Sequence, residues 1–332
     1  MQRLAVKKNI LVVGGAGYIG SHMVKMLFDN GHHVVTLDNL SGGHRDAVLG
    51  GEFVLGDLAE PDQLDALFRH HSFDSVMHFA SYIQVGESVR EPQKYYQNNV
   101  VNSLNLLNAM VAHGVKEFIF SSSAAIFGEP KYSPIDESHP EQPMNPYGAS
   151  KLMVERILRD YDTAYGIKSI CLRYFNAAGA DPDGQLGERH EPETHLIPLL
   201  LQVAAGRLPY VTAFGQDYDT PDGTCIRDYI HVTDLCQAHL RALQSLWQGM
   251  DSAAFNLGNG HGYSVREVIE VARQITGREI PVVYSARRPG DPARLVAKSA
   301  LAQQILGWTP QYASLQQIIA HAWGWEKMRS EN

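Results

Sequence analysis

Residues 10–20 read ILVVGGAGYIG, in which a short apolar run leads into glycines at positions 14, 17 and 20. The apolar run predicts a strand buried on both faces, and the residues that follow predict the start of a helix. Glycines at this spacing let the chain turn sharply and approach a pyrophosphate, which the helix N-terminus attracts. Between a strand and a helix, the motif predicts a dinucleotide site.

The first half of the chain goes on alternating strands and helices. Apolar runs predict six strands, at residues 10–13, 33–37, 53–55, 75–79, 117–121 and 169–173. Helical patterns lie between them, at residues 18–30, 61–70, 92–113 and 147–165. Gly31, Gly114 and Gly166 follow three of these helices, where a positive φ is needed. This alternation predicts an α/β fold, a Rossmann-type doubly wound parallel sheet covered by helices on both faces.

The alternation ends near Asn176. Residues 177–195 are rich in glycine, proline and acidic residues and predict a long loop, and residues 217–224 predict a second one. Beyond them, helices are predicted at 233–247, 264–276 and from residues 299 and 314, with strands at 255–257 and 281–284. We therefore predict a dinucleotide-binding domain at 1–176, with a return of the chain near 231–257. A smaller α/β substrate-binding domain is predicted at 177–230 and 258–332.

Composition restricts the class of partner. The 332 residues carry a net charge of −8, which argues against nucleic acid because phosphate binding needs a cationic footprint. The three cysteines, Cys171, Cys225 and Cys236, form no C-x-x-C pair and predict reduced, buried thiols. No apolar run approaches the ~20 residues of a membrane span. A cytoplasmic protein with no membrane partner is therefore expected.

Two carboxylates end predicted strands close to the glycine motif. Asp38 lies eighteen residues after Gly20, where it can accept the ribose hydroxyls of an adenosine and repel a 2′-phosphate. This position favours NAD over NADP, although Arg45 lies nearby. Asp57 could accept a hydrogen bond from the adenine amino group, or it could cap the helix that begins near Pro61.

Tyr147 and Lys151 are four residues apart, so on a helix they share a face. They could form an ordinary surface pair, but the serine run 121–123 closes a predicted strand upstream. A free tyrosine titrates near ~10, so work as a base at neutral pH needs a nearby cation to offset desolvation. We predict Tyr147 as the acid/base group, with Lys151 as the cation and Ser123 bridging to a sugar hydroxyl. Ser121 and Ser122 could simply be caps.

Further short segments, spread over nearly the whole chain after Lys8, resemble those of one known family. They are FA (79–80), VGES (85–88), YYQNNV (95–100), FSSSA (120–124), LRYFN (172–176), DGT (222–224), RDYIHV (227–232) and RRPGD (287–291). Together with the glycine motif and Tyr147/Lys151, they resemble the UDP-glucose 4-epimerase family of the extended short-chain dehydrogenases/reductases.

The resemblance implies NAD-dependent interconversion of UDP-galactose and UDP-glucose at C4 through a 4-keto sugar, in a homodimer that pairs through helices like 92–113 and 147–165. It implies catalytic roles for Tyr147, Lys151 and Ser123. The implied cofactor residues are Gly14, Gly17, Tyr18, Ile19, Gly20, Asp38, Asn39, Asp57, Leu58, Phe79, Ala80, Asn98, Tyr147, Lys151 and Tyr174. The implied UDP-sugar residues are Ser123, Tyr147, Phe175, Asn176, His195, Leu196, Thr212, Phe214, Arg227, Tyr229, Arg288, Asp291 and Leu295.

Three residues depart from the pattern that the resemblance implies. Ile83 stands where many members place a lysine at the cofactor, and His195 stands where an asparagine often meets the nucleotide. Leu295 occupies the sugar-gate position, where tyrosine narrows the pocket and small residues admit N-acetylated sugars. Leucine is intermediate, which leaves a UDP-GlcNAc/UDP-GalNAc 4-epimerase open as an alternative.

Elimination, simple oxidation and non-catalytic nucleotide binding are the alternatives to epimerisation on this fold. Dehydratases and decarboxylases of this group carry a carboxylate just after the catalytic serine or threonine, whereas Ala124 and Ala125 follow Ser123. A simple dehydrogenase or another sugar-nucleotide oxidoreductase would differ in releasing its reduced cofactor. A non-catalytic nucleotide-binding protein should lack the acid/base pair.

The segment HEPETH at 190–195 superficially resembles a zinc-binding helix. Its histidines are five residues apart rather than four, and Pro192 breaks the helix that would align them. The sequence therefore predicts a solvated or substrate-lining loop and no metal.

Overall fold

The structure is a computed structural model that describes residues 7–288 and 290–331, with side chains as far as residue 329. Pro289, within the RRPGD string, lies outside the described residues. The chain forms two compact units. The first holds the described residues through Ser122, with Asn145–Leu172 and His239–Ala254; the second holds Ser123–Met144, Arg173–Ala238 and the described residues from Phe255 onward.

Thirteen strands occur in the described part of the chain. They are β1 (Asn9–Val13), β2 (His33–Asp38), β3 (Glu52–Leu55), β4 (Ser75–His78), β5 (Glu117–Ser123), β6 (Lys168–Tyr174), β7 (Asn176–Ala178), β8 (Val211–Phe214), β9 (Ile226–His231), β10 (Ala253–Leu257), β11 (Gly262–Ser264), β12 (Val282–Ser285) and β13 (Arg294–Leu295).

Eleven α-helices connect them within the same described residues. They are α1 (Tyr18–Asp29), α2 (Pro61–His70), α3 (Val85–Arg90), α4 (Pro92–Tyr96), α5 (Asn102–Ala112), α6 (Pro146–Tyr165), α7 (Leu196–Ala204), α8 (Val232–Trp247), α9 (Val265–Thr276), α10 (Ala300–Leu306) and α11 (Leu315–Glu331). Short 3₁₀ turns lie at Arg45–Ala47 and Ala124–Phe127, and a π-helical turn at Gln97–Val101.

Seven strands form the central sheet, in the order β10-β6-β5-β4-β1-β2-β3. β1 pairs in parallel with both β2 and β4, and β2–β3 and β4–β5 are parallel as well. The chain fills one side of β1 first and then the other, so the strand order reverses between β1 and β4. Ligands of doubly wound folds bind at the carboxyl ends of strands beside such a reversal. The predicted fold class is confirmed.

The strands of the first unit read as apolar runs because both of their faces are covered. Leu11, Val13 and Phe118 are at most 1% exposed and belong to one apolar core with residues of α2, α5 and α6. Gly31, Gly114 and Gly166 all adopt positive φ after their helices, as predicted. These helix ends fix where each chain segment re-enters the sheet.

The second unit contains two small sheets. One runs β11-β9-β13, with β7 also pairing with β9, and the other pairs β8 with β12. Helices α7, α9 and α11 pack against one another and contribute Leu200, Val268 and Ile318 to a separate apolar core. Ser264 begins α9 with a reciprocal capping box in which its side chain and that of Glu267 each bond the other's backbone N–H.

Some elements differ from the sequence predictions. The predicted helix at 92–113 is divided by the π-helical turn at Gln97–Val101, a feature often found at functional sites. The predicted loop at 177–195 begins inside β7. The sequence pattern also does not predict β8, β9, β11, β13, α3 or α7. Among the described residues, no helix combines the length and the apolar character that crossing a membrane requires.

Candidate active site

The glycine motif forms the turn between β1 and α1. Gly14 has a φ of 78°, and a Cβ there would lie 2.5 Å from the backbone nitrogen of Ala80. A Cβ on Gly20 would lie 2.1 Å from the Gly14 carbonyl oxygen. These two glycines are therefore required by the fold itself, since the turn and the residues after β4 leave no room for a side chain.

Gly17 is different from its neighbours. Its φ of −77° suits any residue, and a Cβ would meet nothing closer than the Gly14 oxygen at 3.4 Å, an ordinary contact. The protein alone does not need glycine here. The bare backbone at the N-cap of α1 is the kind of surface that a pyrophosphate approaches closely, so the turn fits a dinucleotide. Tyr18 and Ile19 form the first helical residues beyond it.

Asp38 ends β2 with a buried carboxylate, 8% exposed. One oxygen accepts the N–H of Ala16 at 2.9 Å, and the other accepts the N–H of Leu40 at 2.8 Å. Burial raises the pKa of this carboxyl, and the two backbone donors oppose the rise. The bonds fix the carboxylate against the glycine turn, where the sequence predicts the adenosine ribose.

Asp57 and Asn39 lie at the neighbouring strand ends. The Asn39 amide donates to Asp57 Oδ2 at 2.8 Å, and Asp57 Oδ1 accepts the N–H of Ala59 at 2.8 Å. The residue that caps α2 is Glu60, so Asp57 is not the helix cap that the sequence left open. Leu58 is 6% exposed and belongs to the core.

Tyr147 and Lys151 lie within α6, as the sequence predicts, and both are buried at 9% and 2% exposed. The helix begins with Asn145, whose side-chain oxygen accepts the N–H of Gly148 at 2.9 Å. The ammonium of Lys151 lies 6.0 Å from the centre of the Tyr147 ring. The pair is therefore not the solvated surface pair that the spacing alone allowed.

Lys151 bonds only neutral oxygen atoms. Its Nζ donates to Ser81 Oγ and to the carbonyl oxygen of Ser121, both at 2.8 Å. The third N–H donor has no partner among residues 7–288 and 290–331, which leaves it for a ligand. Burial lowers the pKa of Lys151 to about 7, although Glu155 pulls it upward. The ammonium thus loses its proton near neutral pH unless another charge stabilises it.

The loop after β4 joins the glycine turn to Lys151. Ala80 packs against Gly14, and the next residue, Ser81, accepts a hydrogen bond from Lys151. Phe79, before them, packs against His239 with tilted rings whose centres are 5.1 Å apart. The predicted cofactor residues at 14, 79–80 and 151 are therefore neighbours in the fold.

The π-helical turn carries Asn98 and Asn99. The Asn98 amide donates to Asn99 Oδ1 at 3.0 Å. Asn99 is 2% exposed; it accepts the N–H of Tyr82 at 2.9 Å and donates to the Tyr82 oxygen and to Ser150 Oγ, both at 3.1 Å. Asn99 thereby ties the loop after β4 to α6. Asn99 lies in the YYQNNV string, but the sequence pattern alone does not indicate this role.

The three serines that end β5 have different hydrogen-bond partners. Ser121 Oγ shares a hydrogen bond with His239 Nε2 at 3.1 Å, and Ser122 Oγ donates to the buried Glu155 at 2.6 Å. Neither serine caps a helix. Ser123 does, because its Oγ accepts the N–H of Ala125 at 3.1 Å and begins the 3₁₀ turn. That bond uses an acceptor site of Ser123 and keeps its O–H as a donor.

The second unit holds the residues that the resemblance assigns to the nucleotide. Arg227 Nη2 is paired with the Asp291 carboxylate, and its Nη1 donates to the Ile226 oxygen at 2.8 Å. Leu295 on β13 lies directly across from Arg227 on β9. The guanidinium of Arg288 lies 4.1 Å from the centre of the Phe214 ring. Arginine planes and an aromatic ring at one place suit a diphosphate and a planar base.

The other residues that the resemblance assigns to the UDP-sugar lie in strand pairs or in the apolar core of the second unit. Asn176 on β7 pairs with Tyr229 on β9, and Tyr174 and Phe175 precede it in the chain. Thr212 pairs with Val283 between β8 and β12. Tyr229 is 5% exposed inside the apolar core, and burial raises the pKa of its phenol. Packing accounts for Tyr229, and its contact with substrate stays a prediction.

His195 is the N-cap residue of α7, and Leu196 is the first residue of that helix. The imidazole of His195 faces two buried carboxylates, Glu188 and Glu193, at 2.7 and 3.3 Å. Burial disfavours the charge of His195, yet the two carboxylates raise its pKa to about 10. The HEPETH segment is indeed not helical, but it does bring its acidic and imidazole groups together.

A sequence model of the NAD dependent epimerase/dehydratase family matches residues 10–258. The match covers the glycine turn, Asp38, Tyr147 and Lys151. The chain belongs to the NAD dependent epimerase/dehydratase family.

Relatives within this family match nearly the whole chain. The UDP-glucose 4-epimerase of Halalkalibacterium halodurans is 54% identical over 318 residues, which are 96% of this chain and 95% of the relative. The crystal structure of UDP-glucose 4-epimerase from Brucella ovis in complex with NAD is 49% identical, with a TM-score of 0.93 over 95% of this chain and 97% of that one. The UDP-Glc/GlcNAc 4-epimerase from Campylobacter jejuni is 44% identical, with a TM-score of 0.84 over 97% and 99% of the two chains.

In this member of the epimerase/dehydratase family, the residue after Ser123 is the buried Ala124. Alanine cannot move a proton, so the site lacks the carboxylate that elimination would use at that position. Ser81 and Glu155 were missed by the sequence analysis, since they are single polar residues without a motif. Only their hydrogen bonds to Lys151 and Ser122 reveal them.

Proposed function

We propose that this chain interconverts UDP-galactose and UDP-glucose by epimerisation at C4, through a 4-keto sugar and with NAD as its bound cofactor. The named activity of relatives at 54% and 49% identity supports the proposal. The observation that carries it is the buried pair of Tyr147 and Lys151, in which the ammonium bonds neutral oxygens and keeps a donor for a ligand.

The first unit suits NAD. The bare backbone at Gly17 receives the pyrophosphate, and the Asp38 carboxylate accepts ribose hydroxyls while it repels a 2′-phosphate. Bound NAD would supply the acceptor for the hydride that leaves C4 of the sugar and the donor for its return. The free donor of Lys151 holds the nicotinamide ribose. Further cofactor contacts fall to Tyr18, Ile19, Asn39, Asp57, Leu58, Phe79, Ala80, Asn98 and Tyr174.

Tyr147 moves the proton. It takes the proton of the sugar 4-hydroxyl as C4 becomes a ketone, and it gives the proton back when the ketone is reduced from its other face. A cation about 6 Å away stabilises a phenolate by ~3 kcal/mol at an effective dielectric constant of ~20. Ser123, whose O–H is kept as a donor, passes the hydrogen bond between the sugar and the phenol.

The second unit holds the nucleotide end of the substrate. Arg227 and Arg288 provide planar donor forks for the diphosphate, and Phe214 provides a flat apolar surface beside Arg288. Leu295, across from Arg227, borders the sugar. The remaining contacts fall to Phe175, Asn176, His195, Leu196, Thr212, Tyr229 and Asp291. The glycine turn and Asp38 thus belong to the first unit, and Arg227 and Arg288 belong to the second.

A second substrate pair, UDP-GlcNAc and UDP-GalNAc, is favoured by one specific observation. The residue at the sugar-gate position is Leu295, which is smaller than tyrosine, and a relative at 44% identity is named for both glucose and N-acetylglucosamine forms. Parallel assays of UDP-galactose and UDP-GalNAc with one enzyme preparation measure the ratio directly. A ratio of kcat/KM near unity makes the enzyme bifunctional.

We also propose a cytoplasmic homodimer. All three cysteines are buried and none forms a disulfide within the described residues, as expected for a reducing compartment. Exposed apolar side chains, Val101 and Met153, lie on the π-helical turn and on α6, which pack against each other. A second copy of the chain would cover them.

The proposed activity is tested by incubating the enzyme with UDP-galactose without added oxidant. We expect UDP-glucose to form and the absorbance of reduced nicotinamide to stay low, whereas a simple dehydrogenase would stall after one turnover. Tyr147→Phe should lower kcat by ~10²–10⁴-fold, the usual contribution of a positioned acid/base group. NAD content and UDP binding should not change, and Tyr210→Phe, on an exposed tyrosine, serves as the matched control. Full turnover by Tyr147→Phe would remove the assignment.

A further inference from the structure

The loop between β7 and α7 buries two carboxylates that have no lysine or arginine partner among the ion pairs of the described residues. The side chains of Glu188 and Glu193 are only 6% and 5% exposed, and the basic groups closest to them are the imidazoles of His190 and His195. Two buried negative charges require compensation by nearby positive charge. The loop can obtain it from protons on the two imidazoles or from one divalent cation.

The donor atoms of the four side chains converge. His190 Nδ1 lies 3.1 Å from Glu188 Oε1 and 3.8 Å from Glu193 Oε2, and His195 Nδ1 lies 2.7 Å from Glu188 Oε1 and 3.3 Å from Glu193 Oε1. One atom from each residue falls within 4.8 Å of the others. Four ligands at ~2.0–2.1 Å around a tetrahedral Zn²⁺ are separated by about 3.3 Å, a value inside the 2.7–3.8 Å range of these four contacts.

The orientation of His195 gives a second, independent indication. Its Nδ1 is shielded from solvent and approaches Glu188 to 2.7 Å, yet the pair does not have the angles of a hydrogen bond. Ligands of one metal ion point their lone pairs at a common centre and not at each other. Close neighbours that lack hydrogen-bond alignment are therefore compatible with two ligands of one ion, which would move them slightly apart.

The loop also holds one ligand in place. Glu193 Oε1 accepts the backbone N–H groups of Thr194 and His195 at 2.7 and 2.8 Å. Such outer bonds orient a ligating carboxylate before the metal arrives. Both imidazoles offer Nδ1, and a set of two imidazoles and two carboxylates suits zinc better than magnesium or calcium, which prefer oxygen ligands throughout.

We propose that Glu188, His190, Glu193 and His195 form a binding site for one divalent transition-metal ion, with Zn²⁺ the best match. The role is structural, because the ion would fasten the loop to the N-terminus of α7 at His195. The five-residue spacing of His190 and His195 would prevent metal binding only on a helix. These residues lie on a loop, where that restriction does not apply.

The site is tested on the full-length NAD-bound enzyme without a polyhistidine tag. We expect elemental analysis of protein grown with zinc to find about one equivalent per chain. After removal with a chelator, titration against a chromophoric competitor should show one site of submicromolar affinity. Co²⁺ in the same site should give the intense visible bands of a four-coordinate ion, and chelation should lower the melting temperature.

Variants separate this site from casual binding at surface histidines. His190→Ala and Glu193→Gln should each weaken zinc binding about 100-fold or more, whereas His261→Ala, on an exposed histidine of the same unit, should leave it unchanged. Should a ligand variant not fold, the titration of wild-type protein still decides. The proposal fails if stripped wild-type protein binds no stoichiometric Zn²⁺, which would mean that protons alone compensate the carboxylates. It also fails if the ligand variants bind as tightly as wild type.

Discussion

Lys151 is a cation buried in the first unit, with 2% of its surface exposed. Burial lowers its pKa to about 7 from an ordinary 10.5. Between these pH values the unfolded chain binds more protons than the folded one, so the contribution of Lys151 to stability rises with pH across this window. Below pH 7 both states are protonated and the full cost of the buried ammonium remains.

Because this contribution to stability rises with pH, replacing Lys151 by methionine in NAD-free protein should remove the rise. We expect the free energy of unfolding of wild type, relative to the variant, to rise by about 1 kcal/mol per pH unit between pH 7 and 9. Urea denaturation at three pH values measures it. Lys116→Met, at an exposed lysine, should give a difference that does not vary with pH. The same flat result for Lys151→Met would show that the lysine is not desolvated.

The glycines of the first turn differ in what they serve, and substitution should separate them. At Gly17 a methyl group meets only an ordinary contact at 3.4 Å, so Gly17→Ala should fold normally and lose NAD. At Gly20 the methyl group would lie 2.1 Å from a carbonyl oxygen, so Gly20→Ala should lose both NAD and stability. Bound NAD is read after denaturation, and thermal unfolding of NAD-free protein measures the fold. Equal destabilisation by the two variants would contradict the distinction.

At the level of helices and strands, the sequence predicts the elements whose packing leaves a local pattern. β1 and β2 are buried on both faces and read as apolar runs, and the helix ends at Gly31 and Gly166 carry their own signal. β9 carries no such pattern. It reads IRDYIH and yet every residue in it is buried, because its polar groups find partners far away in the chain.

Asp228 on β9 illustrates that dependence. Its carboxylate is fully buried and accepts the N–H groups of Asn259, Gly260 and Ala297 at 2.8, 3.0 and 3.1 Å. Burial raises the pKa of Asp228 to about 6, against these three donors. Segments 31 and 69 residues away are thus joined to the strand, a relation that a local window cannot contain.

Asp228→Ala should therefore destabilise the protein. Removing the carboxylate leaves three backbone donors without their acceptor at ~1–3 kcal/mol each where they are buried, and relief of a buried charge offsets part of this. We expect a net loss of about 2 kcal/mol or more at pH 7, measured by urea denaturation. Asp183→Ala, on an exposed aspartate, is the control and should change stability little. No loss in Asp228→Ala would mean that the donors find water.

For the molecule as a whole, motifs predict where a residue lies well when one element carries them. The glycine turn, Tyr147 and Lys151 each belong to a single strand end or helix, and the fold places them as the spacing indicates. The residues that tie these parts together, such as Asn99 and Ser81, are isolated polar residues whose partners depend on tertiary packing. In the loop at 188–195, helical spacing does not determine which side chains meet, because an irregular backbone can bring them together in other ways.

The surface of the first unit carries exposed apolar side chains that a second copy of the chain would cover. Val101 and Met153 are 41% and 43% exposed on elements that pack against each other, so a face formed by them leaves apolar area in water. A stable interface buries at least ~1,200 Å² and needs an apolar centre, which these side chains would provide.

We expect light scattering to give twice the chain mass of 36.8 kDa. Val101→Glu with Met153→Glu should shift the mass to that of one chain, because each copy would bring buried like charges to the interface. Val283→Glu, at a valine 48% exposed on β12, should leave the mass unchanged. A dimer that survives the double substitution would place the interface on another face.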